Sequence, residues 1–269
     1  MKTSGIVTLT TDFGLRDPYV GVMKGVILSI NPEARIIDIS HQLKAGAISQ
    51  ASTLIQEAYP FFPEGTIHVA VVDPGVGGDR RPILINIQTH LFVGPDNGIF
   101  WPVIKSHGHR KIVHLTENRY FLPQVSHTFH GRDIFAPVAA HLSRGADPME
   151  MGPVINDPVP FEFQTPQRSG DVLLGQVMRV DHFGNLITNI QRKQFEQFLG
   201  PGRPVIKAGQ LKVEGLSKTY GQALAGEALA LIGSSDCLEI AVNLGRACDV
   251  TGMNSEDITG MAIEVSRVY

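Results

Sequence analysis

From Ile6 onward the hydrophobic period of this chain switches back and forth between two and 3.6 residues, a pattern few folds accommodate. Residues 6–10 form a β-branched run. Val20, Met23, Val26, Ile27 and Ile30 then recur at helical spacing until Asn31 and Pro32 end the helix. A second strand over residues 35–39 leads to Ile48, Ala51, Leu54, Ile55 and Ala58 on one helical face, stopped by Pro60. A third strand covers residues 67–72, and Ile83, Ile85 and Ile87 then alternate with Leu84, Asn86 and Gln88. Strands interleaved with helices predict an α/β domain whose mostly parallel sheet carries helices on both faces. Sheets of this kind bind ligands beyond the carboxyl ends of their strands, so the loops there are where chemistry is expected.

The pattern breaks near Gly152. Pro153, Pro158, Pro160 and Pro166 fall within a short span with few periodic apolar residues, the composition of a linker. Beyond it, short alternating strands separated by glycine-rich turns continue toward Val268 and predict a smaller all-β domain, a barrel. The expected boundaries are 1–160 for the α/β domain, 161–170 for the linker and 171–269 for the C-terminal β-barrel.

The 269 residues carry a formal net charge of −3, with Lys and Arg scattered, which leaves no electrostatic footprint for nucleic acid. No apolar stretch reaches the roughly 18 residues that span a bilayer, and no signal-type segment opens the chain. Cys237 and Cys248 lack metal-type spacing and suit a reducing compartment, so a cytoplasmic protein acting on a small molecule is expected.

The stretch Val-Val-Asp-Pro-Gly-Val-Gly-Gly-Asp-Arg-Arg at residues 71–81 places Asp73 at a strand end, ahead of close-approach glycines and the pair Arg80 and Arg81. It reads either as a ligand loop or as an Asp-Pro turn with solvated arginines. Its glycines fit neither a P-loop nor a dinucleotide fingerprint. Asp96 and Asn97, in Gly-Pro-Asp-Asn-Gly, read as an Asx-stabilised turn that could also face a ligand. His130 sits just ahead of a helix carrying Ile134, Phe135, Val138, Ala139 and Leu142, where a neutral imidazole suited to accepting a proton is favoured. Asp181, Phe183 and Asn185 offer an acid, an aromatic face and an amide at one turn, which a tight hairpin explains equally well. No metal motif and no nucleophile elbow is present.

Four segments together carry a family resemblance: Thr-Thr-Asp-Phe-Gly (10–14), Val-Asp-Pro-Gly-Val-Gly (72–77) with Arg80, Thr-Phe-His-Gly-Arg-Asp (128–133) and Phe-Gly-Asn-Leu-Ile-Thr-Asn-Ile (183–190). In order and over nearly the whole chain, they resemble the S-adenosyl-L-methionine hydroxide adenosyltransferases, relatives of the fluorinase and chlorinase. The resemblance implies hydrolysis of S-adenosylmethionine to adenosine and L-methionine without metal or cofactor. It also implies a homotrimer whose active sites lie between the N-terminal domain of one subunit and the C-terminal domain of the next. It places the family's Asp-Arg-His set on Asp73, Arg80 and His130, and the ribose hydroxyls on Asp12. Asp181 and Asn185 are placed at the methionine end, with Phe183, Ser234, Ser235, Glu239 and Val242 toward the adenine. The halogenating branch carries a tyrosine where this chain has Asp73 and a serine where it has Gly131; neither replacement is present. The Gly-Ser-Ser-Asp-Cys turn at 233–237 departs from the Asn-Ser-x-Gly of relatives. A binding module without turnover and a halogenase are the two alternatives.

Overall fold

The computed structural model describes residues 2–108, 110–253 and 258–268. They fall into two units, the first ending at Glu162 and the second beginning at Phe163.

In the first unit seven strands share one sheet: β1 (Ile6–Thr11), β2 (Arg35–Ser40), β3 (Ile67–Val71), β4 (Pro82–Asn86), β5 (Leu91–Pro95), β6 (Lys111–His114) and β7 (Val154–Ile155). Their order is β2-β1-β3-β5-β4-β6-β7. The strands β2, β1, β3 and β5 are parallel, whereas β4 and β7 run against their neighbours. The reversal of β4 follows from its connection to β5, which is too short for a crossover helix and closes instead as a hairpin with Ile87 N bonded to His90 O at 3.2 Å.

Two layers of helix flank the sheet. On one face α1 (Tyr19–Ile30) and α4 (Ala136–Ser143) bury Met23, Ile27, Val138 and Leu142 against Val7, Leu9, Val69 and Val71. On the other, α2 (Ile48–Ala58) and α3 (Trp101–Ser106) bury Ala51, Ile55, Val103 and Ile104 against Ala70, Val72, Ile83 and Ile85. Successive residues of β3 thus feed opposite cores, and every one of them is buried. A central strand covered on both faces reads as a nearly continuous apolar run, interrupted here by His68 alone.

The second unit is built from β8 (Gln167–Ser169), β9 (Val172–Val180), β10 (Leu186–Gln191), α5 (Arg192–Leu199), β11 (Arg203–Ala208), β12 (Leu211–Glu214), β13 (Ala228–Ile232), β14 (Cys237–Val242) and β15 (Ala262–Val268). All its pairings are antiparallel, in the order β12-β11-β15-β9-β10-β14-β13, with β8 on β9. The long strand β9 pairs with β15 through its first half and with β10 through its second, which curls the sheet round a core of Val177, Ile190, Ile240, Ile263 and Val265. This near-barrel agrees with the expected β domain. One helix is added to it: α5 starts at a capping box between Gln191 and Gln194 and buries Phe195 and Phe198. Strand β8 lies within the span expected as a linker.

Candidate active site

Parallel pairing of β1 with β3, with Thr11 opposite Val71, brings the loops after both strands out at the same edge of the sheet. Asp12 leaves β1 there, and its Oδ2 accepts the Gly46 amide at 2.8 Å. Asp73 leaves β3, and two successive turns fold the chain back on it, with Val76 N on Asp73 O at 3.2 Å and Gly78 N on Gly75 O at 3.1 Å. Gly77 has φ +77°, and a Cβ there would collide with the carbonyl oxygen of His127. Only glycine permits both the conformation and this approach of the loop to the segment leading into His130.

The fold-back returns Arg80 to Asp73. Arg80 Nε donates to Oδ1 at 2.9 Å and to Oδ2 at 3.0 Å, and Nη2 also donates to Oδ2. Both side chains are buried, at 4% exposure for Asp73 and 9% for Arg80, and the guanidinium carbon lies 5.4 Å from the centre of the Phe135 ring. Nη2 also meets His130 Nδ1 at 2.7 Å. A guanidinium has donors and no acceptor, so Nδ1 must be bare and the ring proton sits on Nε2. Burial, followed by the adjacent Arg80 cation, holds the His130 pKa below its ordinary value, against opposing pulls from Asp73, Asp133 and a hydrogen bond to the Ser126 backbone. The ring is therefore neutral near pH 7 and aims a lone pair at the arginine. Among the described residues Arg80 Nη1 makes no hydrogen bond, which leaves one face of the fork for a water. A cation with a spare donor edge, backed by a base, can polarise that water toward hydroxide.

The second unit carries a separate polar cluster. Asp181 accepts the Asn185 amide N–H at 2.9 Å and its side-chain Nδ2 at 3.0 Å, closing the turn between β9 and β10. Phe183 stands out of this turn at 71% exposure, and Arg246 Nη1 donates to His182 O at 2.9 Å beneath it. Ser234 and Ser235 occupy the turn between β13 and β14, closed by Asp236 N on Gly233 O at 3.0 Å. Glu239 in β14 is buried at 5% exposure and accepts the Tyr220 hydroxyl at 2.6 Å, and a Cβ on Gly233 would collide with its Oε2. Burial pushes the Glu239 pKa up and the Asp181 charge adds to this, against the Tyr220 bond and Arg179. Asp181, which holds Asn185, thus acts electrostatically on Glu239, against which Gly233 of the serine turn is packed. Val242 does not join them, because its side chain packs into the β core with Leu238 and Ile240 on the face opposite Glu239.

Residues 7–152 match the family model described as the SAM hydroxide adenosyltransferase N-terminal domain, and residues 175–259 match its C-terminal domain. The chain belongs to the SAM hydroxide adenosyltransferase family. It is 35% identical over 254 residues to an (R)-S-adenosyl-L-methionine hydrolase of Salinispora tropica, covering 93% of this chain and 95% of that protein. A protein of the same name from Thermus thermophilus is 36% identical over 254 residues, covering 92% and 95%. A fluorinase of an Actinoplanes species is 28% identical over 219 residues, covering 71% and 74%. Among solved structures, an uncharacterized conserved protein from Thermotoga maritima superposes with a TM-score of 0.88 at 36% identity, covering 97% of this chain and all of that one.

In this hydroxide adenosyltransferase the structure brings Asp73, Arg80 and His130 into one hydrogen-bonded line and sets Asp12 at the same sheet edge. Asp96 is occupied internally, accepting from Arg81 Nε and Nη2 at 2.9 and 2.7 Å and from Val159 N at 2.8 Å, so it pins the chain after β7. Ser126 and Tyr220, which touch the two clusters, carry no signal in the sequence: one lies in an ordinary polar loop, and the other bonds a residue 19 positions away. Among the described residues no group of three or more His, Cys, Asp and Glu side chains could hold a metal, and no helix is long and apolar enough to cross a membrane.

Proposed function

We propose that this chain hydrolyses S-adenosyl-L-methionine to adenosine and L-methionine by attack of water on the ribose C5′. The observation that carries the reading is the line from Asp73 through Arg80 to His130, a buried cation flanked by a carboxylate and a bare imidazole nitrogen. Its relatives named (R)-S-adenosyl-L-methionine hydrolase support the substrate.

In this reading a water rests on Arg80 Nη1. As its oxygen attacks C5′, Arg80 Nη2 gives its proton to His130 Nδ1 and takes up the water's proton on the lone pair this frees; the cation is restored and the imidazolium later releases its proton to solvent. The C5′–S bond breaks with its electron pair on sulfur, so the sulfonium leaves as neutral methionine thioether and needs neither proton nor metal. Asp73 holds the guanidinium in place, and its charge offsets the accumulation of positive charge on Arg80 and His130. Asp12 binds the ribose hydroxyls, and Asp181 with Asn185 binds the methionine end. Phe183, Ser234, Ser235, Glu239 and the Val242 backbone lie toward the adenine. The same reading makes the protein a cofactor-free, cytoplasmic homotrimer in which an N-terminal set from one subunit works with a C-terminal set from its neighbour. The two cysteines, Cys237 half-buried and Cys248 buried, are in keeping with a reducing compartment.

The test is chromatography of S-adenosylmethionine incubated with pure protein and chelator, with and without fluoride or chloride. Adenosine and methionine in every arm are expected. An unconsumed substrate, or a halogenated deoxyadenosine in the halide arms, contradicts the reading.

A further inference from the structure

Three residues past His130 lies a carboxylate buried more completely than Asp73 itself. Asp133 has none of its side chain exposed. Its Oδ2 accepts from Ser126 N at 2.8 Å, Ser126 Oγ at 2.7 Å and Arg132 Nη2 at 3.0 Å, and its Oδ1 accepts from Arg132 Nε at 2.5 Å. Ser126 Oγ in turn accepts Phe129 N at 3.1 Å. Burial alone would push the Asp133 pKa up, but the Arg132 and Ser126 bonds outweigh it and keep the group ionised. The loop over residues 126–129 is therefore wrapped round a fixed anion.

That wrapping matters for His130 because Phe129, the residue before it, is held by Ser126 Oγ and also accepts Asp133 N at 3.1 Å. We infer that Asp133 is a positioning residue: by clamping Ser126 and Phe129 it places the His130 ring so that bare Nδ1 faces Arg80. The inference rests on the hydrolytic reading above. It involves no bond to substrate. The charged groups facing His130 are Arg80 and Asp73 from the glycine loop and Asp133 from the turn Gly131–Phe135; Arg132 is engaged by Asp133.

Two readouts on the full-length protein test it. Long-range ¹⁵N–¹H spectra of the imidazoles, with His130 assigned by comparison with His130→Gln, give its tautomer directly. The wild type at pH 7 is expected to carry the proton on Nε2, and Asp133→Asn to lose that single tautomer. In kinetics, Asp133→Asn removes an anion that favours the imidazolium. The acid limb of its kcat profile should move to lower pH, while plateau kcat falls on the order of 10²-fold from misplacement and KM changes little. A residue needed only for folding would lower yield or melting temperature and leave tautomer and limb untouched in the folded fraction. Ser126→Ala, which keeps the backbone and drops the Oγ bond, should move both readouts in the same direction by less, and it decides the matter if Asp133→Asn does not fold. A wild-type tautomer and limb in folded Asp133→Asn, or failing that in Ser126→Ala, overturns the inference. If the wild-type protein consumes no S-adenosylmethionine the hydrolytic reading falls instead, and the tautomer comparison still rules on Asp133.

Discussion

Arg80 joins its two partners through one nitrogen, since Nη2 donates both to Asp73 and to His130 while Nε secures the carboxylate. An ammonium cannot reproduce that planar fork. Arg80→Lys should lose roughly 10²–10⁴-fold in turnover, the usual worth of proton-transfer assistance, with substrate affinity retained by calorimetry; a lysine variant turning over near the wild-type rate would remove Arg80 from the proton path. Because burial and the Arg80 cation lower the His130 pKa, the neutral, active form persists below pH 6.5, and turnover should fall only as pH drops through this depressed value. A profile whose acid limb lies above pH 6.5 would contradict that placement. Asp12→Ala should weaken binding by about 1.5–3 kcal/mol for each charged hydrogen bond lost to the ribose, again by calorimetry, and unchanged affinity would make Asp12 a clasp for Gly46 alone. Asp12, Asp73 and His130 are legible as sequence because each sits where a strand or helix gives way to a loop. Ser126 is not, since its importance comes from a bond to Asp133 that no local pattern announces.

The loop between β3 and β4 works because its backbone lies against the segment before His130, and Gly77 is the point of closest approach. Gly14 has a similar positive φ of +68° but open space where a Cβ would go. Gly14→Ala should therefore cost only the conformational strain, about 1–2 kcal/mol. Gly77→Ala should cost more and also lower kcat, because Arg80 would be carried off His130. Urea midpoints of the two variants decide this, and equal costs would mean the loop is not pinned. Strands β1 and β3 and helices α1 and α2 are readable from periodicity, since each is long and has one dominant neighbour. The short helix α3 begins at Trp101 with a proline in its first turn, and α5 interrupts a β pattern, so neither stands out by period. The π-type turn Gly131–Phe135 that aims His130 is likewise a product of packing: Gly131 is pressed by Met23 and Phe129, contacts that only tertiary structure creates.

Each unit closes around its own apolar core, and the N-terminal unit also buries a polar pair on the α2 and α3 side of its sheet. His68 Nδ1 meets Thr8 Oγ1 at 2.8 Å and its Nε2 meets His90 Nδ1 at 3.3 Å, with Phe92 stacked at 5.0 Å between ring centres. Burial, then the neighbouring His90, pushes the His68 pKa down to about 3. The unfolded chain takes up this proton near the ordinary value of 6.5 and the folded chain does not, so stability should decline steadily as pH falls from 6.5 toward 3. Urea midpoints measured between pH 7 and pH 4 should drop, less steeply in His68→Gln; identical slopes would clear His68 of the effect. Division into an α/β unit and a β unit is visible in the change of period near Gly152, whereas the curl of β9 depends on its pairing with β15, made far apart in sequence. Attack of water on C5′ of S-adenosylmethionine is tested most directly by mass spectrometry of the products formed in H₂¹⁸O. Adenosine carrying the label in its 5′-hydroxyl and unlabelled methionine are expected. Unlabelled adenosine, or methylthioadenosine with labelled homoserine, would contradict such an attack.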